Sequence, residues 1–127
     1  MKSMLIAALA VALLTGSVCA WGVAYVDEAT DELSDMALQL MHHAESEEYE
    51  RAQDTVTAMA NLWARRRPIL EMLTDHDDLH SVTEHIVEGR IHLKYRHAND
   101  FYQSMALLDE SLRHIRDSES FSLANLL

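Results

Sequence analysis

The densest group of side chains able to do chemistry is Thr74-Asp75-His76-Asp77-Asp78-Leu79-His80. On a helix, His76 and His80 are four residues apart and share a face, the spacing that two zinc ligands need. Glu84, four residues further on, is the local choice for a third ligand. A zinc site built for catalysis requires three protein ligands and one open position. The acids have a simpler explanation, however. An aspartate at a helix start accepts from the first free N–H groups, and further acids favour the positive end of the helix dipole. Asp75, Asp77 and Asp78 fit that pattern, so no metal or other cofactor is expected. His76, His80 and Glu84 stand as the alternative.

The remaining histidines, His42-His43, His85, His92, His97 and His114, are spread over several segments and read as solvent-facing helix positions. Together with the Asp75 to His80 segment they form the basis of an alternative pH-sensing function, because histidine changes charge near pH 6.5. Nothing suggests nucleophilic or acid–base catalysis. Cys19 lies in an apolar run, and Glu84, Glu88 and Asp109-Glu110 form no pairing that suits proton transfer. No glycine-rich turn precedes a helix. The chain is not expected to be an enzyme.

These residues must be positioned by helices. Apolar residues recur at intervals of three and four in four segments, the period of an amphipathic helix. The first segment carries Leu33, Met36, Ala37, Leu40, Met41 and Ala44, and the second Tyr49, Ala52, Val56, Met59, Trp63, Leu70 and Leu73. The third carries Leu79, Val82, Ile86, Gly89 and Leu93, and the fourth Phe101, Met105, Leu108, Leu112 and Ile115. The methionines, Met72 included, read as core filling, and Trp63 as a core anchor. Ser46 is expected to cap the second helix, Thr74 or Asp75 the third, and Asn99 or Asp100 the fourth. Pro68 should bend the second helix or break it. Loops this short force antiparallel neighbours, so the fold is all-α, an antiparallel bundle or hairpin array of about four helices. The apolar C-terminus, Phe121 to Leu127, is expected to pack back onto it.

No charge occurs from Met4 to Val26, a run of 23 residues. As a helix it would span roughly 34 Å, enough for a hydrocarbon core of about 30 Å. Residues 1–26 are therefore expected to be a transmembrane anchor, with Trp21 and Tyr25 at the interface. The alternative is a signal peptide cleaved after Ala20. Lys2 precedes the run, whereas Asp27, Glu28, Asp31, Glu32 and Asp35 follow it. The positive-inside rule then puts the N-terminus in the cytoplasm and residues 27–127 outside. That domain holds all 21 Asp and Glu but 9 of the 10 Lys and Arg, a formal net charge of −12. Such a surface repels nucleic acid. Arg65-Arg66-Arg67 reads as a solvated or ion-paired helix face.

The stretch from Trp63 to Leu127, with Asp75-His76, Leu79 and the closing Ser122-Leu123-Ala124-Asn125-Leu126-Leu127, resembles a family of short anchored bacterial proteins. This is the family called domain of unknown function 4363, seen mainly in clostridia and their relatives. The resemblance extends to the apolar N-terminal segment and implies an anchored helical domain without an established activity. It also implies that Trp63, Asp75, His76, Leu79 and Asn125 belong to one structural motif, with Asp75 as a cap and His76 near Trp63. The expected role is a non-enzymatic interaction or accessory module, binding another membrane or envelope protein through helix faces.

Overall fold

The computed structural model describes the backbone of residues 1–126 and the side chains of residues 1–118. The environment expected for Phe121 to Leu127, Asn125 included, lies outside the described side chains. The chain forms α1 (Lys2–Glu45), α2 (Tyr49–Leu73), α3 (His76–Lys94) and α4 (Ala98–Leu126), with no strand among the described residues. Each helix packs against the one before and after it, and α4 closes the ring on α1. The result is an up-down-up-down four-helix bundle.

The four apolar stripes form its core. Leu33, Leu40, Met59, Trp63, Leu70, Leu79, Phe101, Met105 and Leu108 are among its buried residues. Met72 is a correction. It is 84% exposed, because it falls between the inward positions Leu70 and Leu73. Gly89 faces α4, where a Cβ would lie 2.5 Å from the Met105 methyl carbon, the end of a flexible side chain, and 3.7 Å from Ser104 Cβ. The same element order places the α1–α2 and α3–α4 turns at one end, and the α2–α3 turn at the other.

α1 runs unbroken from the apolar segment into the bundle. An 18-residue window near its start is wholly unburied, long and apolar enough to cross a membrane. The bundle begins at Gly22, whose Cβ position lies 3.4 Å from Leu73, and Val26 is fully buried. The largely exposed part of the apolar stretch therefore runs to Trp21, and its last residues, Gly22 to Val26, enter the bundle. Trp21 itself lies against Tyr25, with ring centroids 5.4 Å apart.

The helix ends differ from expectation in an instructive way. Ser46 does not start α2. It is the C-cap of α1, and Glu48 is the N-cap of α2. Three residues are consumed by a left-handed turn, in which Glu48 N donates to His43 O and Glu47 N to Ala44 O. That is a Schellman motif, and Glu47 (φ 58°) occupies the position that glycine prefers. The α3–α4 turn repeats it: His97 N donates to His92 O, Arg96 N to Leu93 O, and Arg96 has φ 57°. Neither Asn99 nor Asp100 caps α4, which already begins at Ala98. Glu47→Gly is expected to stabilise the bundle by about 0.5–1 kcal/mol in chemical denaturation, since the strain it relieves exceeds glycine's entropy cost. Arg96→Gly should change little, because it also removes a cation–π contact with Tyr49 at 4.3 Å.

Pro68 does not break α2, which continues through it to Leu73. Trp63 and Leu70, both buried, hold the helix on either side of it. A proline inside a helix costs about 3 kcal/mol relative to alanine, less about 0.4–1 kcal/mol for the rigidity it gives the unfolded chain. Pro68→Ala is therefore expected to raise stability by about 2 kcal/mol, read as a higher denaturation midpoint with an unchanged slope.

Candidate functional site

Around Asp75 the side chains are engaged in structural work. The Asp75 carboxylate accepts from Asp77 N at 3.0 Å and caps α3, as expected. Leu79 is fully buried. His76 is exposed. The Trp63 indole N–H donates to Thr83 Oγ1 at 2.8 Å, and Arg67 Nη1 donates to the same oxygen at 2.8 Å. Thr83 in turn donates to Leu79 O. This hydroxyl joins α2 to α3 without help from His76. His80 and Glu84 are exposed on α3. Asp78 is taken by His114 of α4, at 2.9 Å from its Nδ1.

Of the arginine cluster, expected as a solvated or ion-paired face, Arg66 and Arg67 are ion-paired and Arg65 is exposed. Arg66 reaches both Glu32 oxygens, at 3.1 and 3.0 Å, and stands over the Tyr25 ring at 5.2 Å. Tyr25 and then Glu32 push its pKa above the ordinary arginine value, so its charge is held firmly. Arg67 pairs with Glu71 at 3.1 Å. Arg116 bonds Asp31 at 2.7 Å, tying α4 to α1. Three of the acids following the apolar segment, Glu28, Asp31 and Glu32, thus pair across helices.

At the opposite end, the turn between α3 and α4 gathers a different set. The ligand atoms of His92, His97 and Asp100 all lie within 4.8 Å of one another. Among the described residues these three form the group of His, Cys, Asp or Glu compact enough to hold an ion; His76, His80 and Glu84 do not. The Schellman bond from His97 N to His92 O folds the chain so that their rings stand 6.1 Å apart. His92 is half-buried, and its Nδ1 is buried without a hydrogen-bond partner. A small recess lies beside it, lined by Tyr49, Leu93, Phe101 and Tyr102 among others. Burial, with Glu45 and Tyr49 nearby, pushes the Tyr102 phenol above its ordinary 10.0, so that it stays neutral.

The outward face of α3 carries a further feature. Val87, Ile91 and Tyr95 follow one another at four-residue intervals and are 51%, 50% and 62% exposed. Glu84 and Glu88 flank the start of this ladder, and Arg90 and Lys94 its end.

The family described as domain of unknown function (DUF4363) matches residues 20–126. The chain belongs to it. The matched region begins at Ala20 and so contains the whole bundle, including Trp63, Asp75, His76 and Leu79. No curated protein and no solved structure matches the chain.

Proposed function

We propose that this chain is a membrane-anchored, non-enzymatic interaction module that receives a helix of another membrane or envelope protein on the outer face of α3. The observation that carries the reading is the Val87–Ile91–Tyr95 ladder. It has the spacing of a helix-in-groove contact, yet half or more of each side chain is left uncovered by the chain. An 18-residue apolar window in α1 supports anchoring, and Lys2 ahead of it supports a cytoplasmic N-terminus with the bundle outside.

The flanking charges select the partner. In two copies anchored in one membrane, the α3 helices would run in the same direction, and Glu84 and Glu88 would face their own counterparts. Like charges so placed are repelled. The fitting occupant is a different helix, apolar along one side, basic opposite Glu84 and Glu88 and acidic opposite Arg90 and Lys94. A photo-crosslinking residue at position 91, in the full chain in intact cells, tests this. The expected product joins position 91 to such a helix in one membrane or envelope protein, and is lost when Val87 becomes Glu. A product only between copies of this chain, no product, or an equal yield from the exposed control Leu38 overturns the reading.

A further inference from the structure

We propose that His92, His97 and Asp100 form a binding site for a first-row divalent metal ion of the zinc type, at the turn joining α3 to α4. Three observations converge on it. The ligand atoms of the three residues already lie within 4.8 Å of one another, so small side-chain rotations bring them onto one ion. Two imidazoles and a carboxylate form a three-ligand set with a position left open, which suits zinc, nickel or copper and not magnesium or calcium.

Second, the backbone holds the set in place. His92 is the third residue from the end of α3 and His97 lies just beyond it. The bond from His97 N to His92 O fixes their separation. Asp100 sits in the first turn of α4, three residues after His97 and therefore on the same side.

Third, His92 Nδ1 is buried without a hydrogen-bond partner. A buried polar atom left unpaired destabilises the fold, and an ion ligated through Nδ1 would give that atom its partner. The competing charges do not occupy the site. Asp100 makes no salt bridge among the described residues, and the Arg96 guanidinium is turned onto the Tyr49 ring at 4.3 Å. The Lys94 ammonium lies over Tyr95 at 5.6 Å. Asp75 and Asp78 at the far end are by contrast already engaged, in a cap and in a hydrogen bond with His114.

The test uses the full-length chain in detergent micelles, titrated with zinc chloride alone and followed by calorimetry. Cobalt(II) serves as a spectroscopic probe, because a four-coordinate site gives a visible absorption band. The expected result is about one equivalent bound, weakened at least about tenfold in His97→Ala and in Asp100→Asn. Both residues are exposed, so these variants keep the bundle and its helical circular dichroism. His76→Ala and His80→Ala should bind as the parent does. The proposal is overturned if the parent chain binds no zinc, if His97→Ala binds as tightly as the parent, or if His80→Ala loses the site instead.

Discussion

Ala12→Arg is expected to release the full-length chain from the membrane fraction while leaving the bundle folded. Seven Leu, Ile and Val side chains lie between Met4 and Trp21. At about 0.3–0.6 kcal/mol each, they favour insertion by only roughly 2–4 kcal/mol. A single arginine at the centre of the segment costs about 2.5–3.5 kcal/mol, enough to cancel that gain. Ala12 is central and exposed, and residues 1–20 contribute nothing to the core, so the substitution removes no packing. The measurement is the share of chain retained in the pellet after an alkaline wash, with circular dichroism of the soluble form as the check on folding. Retention equal to the parent would refute an anchor of this kind. An intact mass starting at Trp21 for the parent would also remove the premise. The bundle would survive such a cleavage, because its first buried residue is Gly22.

The core was legible from spacing alone, since a three–four alternation of apolar residues specifies which face of each helix turns inward. Ala52, Val56, Met59, Trp63 and Leu70 show this clearly on α2, and the stripe passes Pro68 without interruption. What the spacing hid were features that depend on contacts between helices or on the shape of a turn. Thr83 holds both the Trp63 indole and Arg67, yet those partners are 20 and 16 residues away in the chain, and no local pattern points to them. Ser46 does lie in the α1–α2 turn, but Asn99 and Asp100 fall inside α4, and the left-handed residues of the two turns are Glu47 and Arg96. Without a glycine to mark them, the sequence offers no sign that each turn folds back as a Schellman motif. That is why Ser46 passed for a cap, and why His92, His97 and Asp100 went unremarked as a group. At spacings of five and three they share no single helical face, and the turn alone brings them together. The His76–His80 pair had the opposite fate. Its spacing was suggestive, but the carboxylates beside it cap α3 and hold α4.

Phe101→Ala is expected to be the most destabilising single change at the α3–α4 end, costing about 3–5 kcal/mol. Phe101 is 1% exposed and meets the Tyr102 ring edge-on, with centroids 5.4 Å apart. It lies one turn into α4, where its N–H donates to His97 O. A domain of this size has about 5–15 kcal/mol of stability in all. Loss of the ring should therefore lower the melting temperature by more than about 10 °C. His97→Ala, on the exposed rim of the same turn, should stay within about 0.5 kcal/mol of the parent when no metal is present. The pair of variants separates packing from binding. Zinc at about 100 times its dissociation constant should add roughly 2.7 kcal/mol to any chain that retains the site. Phe101→Ala keeps all three ligands, so zinc should restore part of its lost stability, whereas His97→Ala, binding at least about tenfold more weakly, should gain no more than about 1.4 kcal/mol. A Phe101→Ala chain that unfolds at the parent's temperature would mean that α4 does not enter the core at Phe101. The turn geometry that gathers the two histidines and Asp100 would then fall with it.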